Sequence, residues 1–463
     1  MPKIELPTNS LNRRHFIYLS TLAASAALTG CATPGRVRYK SPNEKLNIAG
    51  IGVGGKGASD IAGCAEENII ALCDVDLNTL NKAAQTYKGA QLYRDYRRML
   101  EQQDNLDAVV ISTPDHQHAL PALMAMSRGM HVYLQKPLTQ TIYEARVLTE
   151  AARKYKVSTQ IGNQSHSMEG NRELCEMIWS GVIGDIREVH SWTDRPIWPQ
   201  GYNRLPGQDP VPAHLDWDLW LGPAPMRPFK STWPDDVEPQ FKRAGRPVYH
   251  PFCWRGWWDF GCGALGDMGC HVLDGPTWAL KLGAPTSVEV VETSGVTAEM
   301  APKWSILRYE FPAREGLPPV TLHWYDGGKK PQKPREMEAK ELQSNGSLFI
   351  GSKGKIYCET YGANPTLLPE SKMKDFVKPP KIIPRTPNNS PYDDWIRACK
   401  GGIAACSNFS VSGPFTETVL LGNLALRTGK KIYWDAKNMR AKGVPEADRF
   451  IRHETRKGWE LTV

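Results

Sequence analysis

The chain has 463 residues, too many for one ordinary domain and enough for two or three. Its 41% apolar and 23% charged residues are those of a soluble globular protein and exclude a disordered chain. The net charge of +8 is spread along the sequence with no basic helix or Lys/Arg block, which argues against a nucleic-acid partner.

In chain order the first signal is NRRHFIYLSTLAASAALTGC. Arg13 and Arg14 precede an apolar run of about fifteen residues, too short to span a bilayer as a helix. The stretch Arg13 to Ile17 resembles the twin-arginine export signal, with Asn12 where Ser or Thr is commoner. Leu28-Thr29-Gly30-Cys31 resembles the bacterial lipobox, whose cysteine becomes the lipidated first residue; plain cleavage after Ala26 is the alternative. The expectation is a periplasmic or membrane-anchored lipoprotein that touches the membrane only through its N-terminal lipid. Residues 1–31 would be the signal and the polar stretch 32–45 a linker. Past Gly30 the sequence offers no transmembrane candidate. Of ten cysteines, the nine besides Cys31 include no CxxC pair, so they read as small buried hydrophobes and not as a disulfide framework.

From Leu46 the apolar runs LNIAGIG, NIIALCD and DAVVIST have strand length and alternate with stretches of helix length. That pattern predicts a parallel sheet with crossover helices over residues 46–165. LNIAGIGVGGKGASD sets Gly52, Gly54 and Gly57 in G-x-G-x-x-G between a strand and a helix. These residues suit a tight turn, close approach to a pyrophosphate and close helix packing. The register Gly50, Gly52, Gly55 also fits. Asp74 ends the next strand about 20 residues later, where a carboxylate can accept hydrogen bonds from ribose hydroxyls and repel a 2′-phosphate, favouring NAD over NADP.

Residues 194–252 are dense in proline and can hold little regular structure. All fifteen tryptophans lie at or after Trp179, a density that suits stacking on sugar rings as well as a core. Between Ser287 and Thr360 the sequence alternates. Leu307, Tyr309 and Phe311 share one face, as do Val320, Leu322 and Trp324, predicting an antiparallel sheet with one covered side. SPYDDWIRACKGG predicts a helix capped by Ser390, with Pro391 first, Asp393 and Asp394 in its opening turn and Gly401 as its stop. FTETVLLGNLALRTGK predicts another, ended by Gly429.

One stretch, GALGDMGCHVLDG, sets Asp267, His271 and Asp274 among four glycines. A turn and a capped helix would explain it, and so would the wall of a site. Together with Gln135-Lys136-Pro137 after the strand and loop DAVVISTPDHQH, and with the glycine-rich opening, it resembles the Gfo/Idh/MocA family of sugar and cyclitol oxidoreductases. That resemblance covers nearly the whole chain from Leu46. It implies an N-terminal Rossmann NAD-binding domain (46–165) and a C-terminal α/β substrate and oligomerisation domain (166–463) with an open, mainly antiparallel sheet.

The resemblance also assigns residues. Lys136, Asp267 and His271 would be catalytic. Gly52, Gly54, Gly55, Gly57, Asp74, Thr113, Pro114, His118, Gln135 and Lys136 would hold NAD, with His116 in the same loop beside the nicotinamide. The partner would be a sugar or glycoside, and the chain a homo-oligomer, dimer or tetramer. A metal is not expected, because His116, His118 and the Cys270-His271 pair lack a third ligand at a recognised spacing. Gln135 departs from the family's glutamate and removes one charge beside the lysine. Chemically, His271 suits the base that takes a hydroxyl proton, since an imidazole ordinarily titrates near ~6.5. Asp267, one helical turn earlier, could orient that ring or bind substrate. Lys136 would stabilise negative charge on the oxygen. Asp274 could cap the helix after Pro276 or touch substrate.

Overall fold

A computed structural model describes residues 39–235, 237, 246–338 and 340–462. The twin arginines, the lipobox and the first half of the linker lie outside the described residues, among which no helix is long and apolar enough to cross a membrane.

The first half is a six-stranded parallel sheet. Its strands are β1 (Asn47–Ile51), β2 (Asn68–Cys73), β3 (Gln91–Tyr93), β4 (Ala108–Ile111), β5 (His131–Leu134) and β6 (Thr159–Ile161), in the order β3-β2-β1-β4-β5-β6. Crossovers run through α1 (Lys56–Ala62), α2 (Leu77–Thr86), α3 (Tyr96–Gln102), α4 (Ala119–Ser127) and α5 (Ile142–Tyr155). Helices cover both faces, which is why β4 and β5 are buried at every position and read as continuous apolar runs. Asp76 and Asp95 cap α2 and α3, and Thr141 with Glu144 forms a capping box on α5. The strand order reverses between β1 and β4, and there the loops part to leave a crevice.

The second sheet comprises β7 (Ile186–Trp192), β8 (Ser287–Thr293), β9 (Ser305–Phe311), β10 (Val320–Tyr325), β11 (Gly346–Gly351), β12 (Lys355–Glu359), β13 (Thr366–Leu368), β14 (Ile432–Asp435) and β15 (Arg440–Lys442). Their order is β13-β12-β11-β7-β10-β9-β8-β14-β15, and only β7 and β10 pair in parallel. Its helices are α6 (Glu169–Trp179), α7 (Trp217–Leu221), α8 (Gly263–Val272), α9 (Asp274–Ala279), α10 (Pro391–Cys399), α11 (Phe409–Thr428) and α12 (Asp448–Ile451). Leu307, Tyr309, Phe311, Leu322 and Trp324 pack in one core with Leu265 of α8 and Val419 and Leu424 of α11. Arg308, Glu310, His323 and Tyr325 face the other way and stay half-exposed, so one face of the sheet is open.

Two elements begin differently from expectation or sit in a different place. The last long helix starts at Phe409, not at Phe415, because Asn408 caps it by accepting from the Ser410 amide and Pro414 is tolerated within its second turn. Helix α10 starts at Pro391 under Ser390, as its sequence requires, but its Trp395 and Cys399 pack with Leu46, Ile48, Val110 and Tyr133. Phe409 and Trp459 enter the other core of the Rossmann half. Residues far beyond position 165 therefore complete both faces of the first sheet.

The proline-rich segment is also anchored there. Leu77 donates to the His214 carbonyl (2.9 Å) and Asp216 to that of Val75 (3.1 Å), laying the segment along the end of β2. Of the tryptophans in and just after it, Trp220, Trp254 and Trp257 pack with Tyr249, Phe260 and Phe229, and Trp220 and Trp254 also reach the crevice between β1 and β4. Nine cysteines lie among the described residues, all free and eight of them buried.

Candidate active site

A cavity of about 570 Å³ opens at the switch between β1 and β4, roofed by the proline-rich segment and by Trp459. Its floor is the glycine turn. Gly52 adopts φ +76° and donates to the Cys73 carbonyl (2.8 Å), and a Cβ on it would strike the Ser112 backbone at 2.9 Å. A Cβ on Gly57 would lie 1.8 Å from the Gly52 carbonyl oxygen, so only glycine lets α1 start this close to β1. Gly55, at φ +54°, has nothing within 4 Å above it. A Cβ on Gly54 would meet the Thr79 side chain at 2.6 Å, so all three glycines of the Gly52, Gly54, Gly57 register are sterically constrained. Gly52, Gly54, Gly55 and Lys56 line the cavity at the N-terminus of α1, the end of a helix that favours anions.

Asp74 lines the same cavity, but both its oxygens are already engaged, Oδ2 by the Val53 amide (2.9 Å) and Oδ1 by that of Asp76 (3.0 Å). Burial raises its carboxyl above the usual range against those two bonds. It shapes the turn as well as offering remaining lone pairs to a ribose. Thr113 and Pro114 also line the cavity.

Two histidines assigned to this loop do something else. His118 is fully buried and outside the cavity wall, with Nδ1 2.8 Å from the Pro137 carbonyl and Nε2 2.9 Å from that of Thr113. It ties the Thr113 turn to the segment bearing Lys136 and does not face the cofactor space. His116 lies between the carbonyls of Phe260 (3.2 Å) and Trp220 (3.0 Å), again behind the wall. Burial lowers the two rings to about 3 for His116 and about 4 for His118, and each neutral ring can donate to only one of the two carbonyls it faces.

Gln135 explains its own departure from glutamate. Its Nε2 donates to Asp60 Oδ2 (2.9 Å), and Asp60 is fully buried, also accepting from Ser112 Oγ (2.7 Å), Tyr392 Oη (2.8 Å) and Lys56 Nζ. A glutamate at 135 would bring a second carboxylate against the first in a dry setting.

At the far end of the cavity the catalytic candidates meet. Lys136 Nζ donates to Asp267 Oδ1 and to the Asp267 carbonyl, both at 2.7 Å. Arg255 Nε reaches the same Oδ1 at 3.4 Å. Asp267 therefore holds two cations and is not seen orienting His271. Burial would raise its carboxyl, but Lys136 and Arg255 outweigh that and keep it well below the carboxylate range. His271 is 5% exposed, and neither ring nitrogen bonds to a described residue. Burial, then the charge of Lys136, lowers its ring to about 3, so it stands neutral and is a weaker base than a solvated imidazole.

Asp274 neither caps a helix nor lines this cavity. It is buried at the start of α9, accepting from Asn171 Nδ2 (2.8 Å) and paired with His166 Nδ1 (2.8 Å). Among the described residues no three His, Cys, Asp or Glu side chains are grouped to hold a metal ion.

Several lining residues escaped the sequence. Tyr361 packs its ring edge-on against His271 (4.9 Å), Gln164 has a buried Nε2 without a partner, and Asp115 is pushed up to about 7 by burial. Arg255, Trp220 and Trp459 complete the set. None carries a local signal, since each arrives by tertiary folding from a different part of the chain.

Residues 46–163 match the model "Oxidoreductase family, NAD-binding Rossmann fold" and residues 185–313 the model "Oxidoreductase family, C-terminal alpha/beta domain". Among curated proteins, a Glycosyl hydrolase family 109 protein of Akkermansia muciniphila is 29% identical over 38% of this chain and 45% of its own. An Inositol 2-dehydrogenase of Salmonella typhimurium is 29% identical over 32% of this chain and 44% of its own. The chain thus spans less than half the length of these relatives. Among solved structures, the WlbA dehydrogenase of Bordetella pertussis in complex with NADH and UDP-GlcNAcA superposes with a TM-score of 0.57. At 17% identity, over 85% of this chain and 99% of that one, it shows the fold alone. With both halves matched and the glycine turn built to accept a dinucleotide, the chain belongs to the Gfo/Idh/MocA family of NAD-dependent oxidoreductases.

Proposed function

We propose that the protein oxidises a secondary hydroxyl of a sugar, glycoside or cyclitol, with His271 as the base. NAD supplies the acceptor for the hydride when bound. The observation that carries the reading is a neutral His271, without a partner among the described residues, lining the same cavity as Lys136, which Asp267 holds. His271 takes the hydroxyl proton on a ring nitrogen, a role that typically contributes about 10²- to 10⁴-fold. Lys136 stabilises the negative charge growing on the oxygen, and Asp267 holds Lys136 and Arg255 in place. Trp220, Trp254 and Trp459 help keep water out of the cavity.

A second reading draws on the family 109 glycosyl hydrolase relatives. The same base and lysine would serve a redox-neutral glycosidase: the sugar hydroxyl is oxidised, the adjacent proton lost, the glycosidic oxygen expelled, water added and the ketone reduced again. We also propose export by the twin-arginine route with lipid on Cys31, which mass measurement of the mature N-terminus and cell fractionation test. Incubating the NAD-loaded protein with sugars and aryl glycosides separates the two chemistries. Accumulating NADH marks the dehydrogenase, and aglycone release without net NADH marks the glycosidase. Neither signal from any sugar would refute both.

A further inference from the structure

The reacting end of the cavity holds more positive charge than one proton transfer requires. Lys136 and Arg255 share a single carboxylate oxygen, Asp267 Oδ1. A third cation, Arg246, lines the same cavity, is exposed, and meets no acid among the described residues. Its guanidinium stacks on Phe252 (4.1 Å to the centroid), the ring that also carries Arg255 (4.4 Å). Trp254 lies against Arg255 as well (4.3 Å). Arg255 Nη1 donates to the Phe252 carbonyl (3.1 Å), which leaves Nη2 without a partner among the described residues.

The other charges along the wall are accounted for elsewhere. Lys56 is paired with Asp60 beside the glycine turn. Asp95 is paired with Arg97; Arg94 meets no acid among the described residues but gives its Nη2 to the carbonyls of Val75 (3.1 Å) and His214 (3.5 Å), beside the end of β2. Asp115, 5% exposed, accepts from the Cys262 amide (3.1 Å). On the side of Lys136 this leaves a pair of planar guanidinium groups held by aromatic rings. Such groups recognise carboxylates through parallel N–H···O bonds, and their charge-assisted bonds are the strong ones.

We infer that the substrate is an acidic sugar, a uronic acid or its glycoside, whose carboxylate is bound by Arg255 and Arg246. This rests on the sugar-oxidising reading above and narrows it. Arg255 and Arg246 are then specificity residues, acting on binding rather than on the proton transfer that His271 performs.

The test uses the full chain with NAD bound and matched pairs of gluco, galacto and manno configuration. Each free uronic acid is compared with its hexose, and each nitrophenyl uronide with its hexoside, reading both NADH and nitrophenol. The expected result is a kcat/KM at least ten-fold higher for the acidic member of one pair. R246A and R255K should each lower that acid-to-neutral ratio about ten-fold, mainly through KM. Arg246 is exposed, so its replacement tests recognition even if R255K folds poorly. A ratio at or below one, a ratio unmoved by R246A, or a preference for a 6-phosphate or 6-sulfate over the carboxylate overturns the inference while sugar oxidation stands. No NADH and no nitrophenol from either class, with NAD still bound, removes the functional reading and the inference together.

Discussion

His271 is neutral because it is buried beside a lysine, not because the solvent is alkaline. A histidine whose ring is lowered to about 3 keeps its base form at every pH above that value, so acidification from pH 7 to pH 5 does not switch it off. The kcat/KM profile, which reports the free enzyme, should therefore show its His271-dependent acid limb below pH 5 and not near 6.5; a midpoint at 6.5 would mean that the ring is solvated. H271A should lower kcat about 10²-fold or more and leave the bound NAD per chain unchanged, measured by absorbance after denaturation. Gln135 gives a second prediction at this scale. Q135E should destabilise the fold by about 2 kcal/mol or more, read by urea unfolding, because Asp60 is already a buried carboxylate with all its partners donating. Adding D60N should recover part of that loss, as a coupled pair requires.

The glycine turn is decided by element packing. G57A drives a Cβ into the Gly52 carbonyl and should abolish retention of NAD through purification, with a lower melting temperature. G55A meets no neighbour and pays only for a positive-φ backbone outside the left-handed helical well (φ +54°, ψ −115°), about 1–3 kcal/mol, whereas G57A meets backbone, so the two substitutions should separate in the same assay. The first sheet, the alternating second sheet and the Ser390 helix were legible because each is written in a local period or cap. Lys136, Asp267 and His271 were assigned through the family resemblance; Lys136 and His271 line one cavity, and Lys136 bonds Asp267. The roles of His118 and Asp274 were not legible, because a histidine in a loop looks the same whether its ring meets a ligand or two carbonyls. Arg255, Tyr361 and Trp459 were invisible for a related reason: their neighbours in space are distant in sequence, and no short window contains both partners.

Across the molecule, the cavity is walled by parts of the chain that lie hundreds of residues apart. Trp459, 6% exposed, packs on Tyr96 (6.2 Å between ring centroids) and under Arg97 (3.9 Å) while lining the cofactor space. W459A should cost about 3 kcal/mol in stability and speed NAD release measurably in a dilution-chase experiment; an unchanged release rate would mean that the C-terminal segment only braces α3. The open face of the second sheet leaves Arg308, Glu310, His323 and Tyr325 half-exposed, a surface on which we propose that a second copy docks, to be weighed by light scattering.

The buried knot around Asp60 has a consequence for descent. One carboxylate answers to Lys56, Ser112 and Gln135 in the first half and to Tyr392 from the second. A recombination event that exchanged residues 46–163 alone would import an acid, or its absence, without the phenol that matches it. Lineages carrying aspartate at 60 should accordingly carry glutamine at 135 and tyrosine at 392 as a single heritable unit, although the three are scattered over more than three hundred positions.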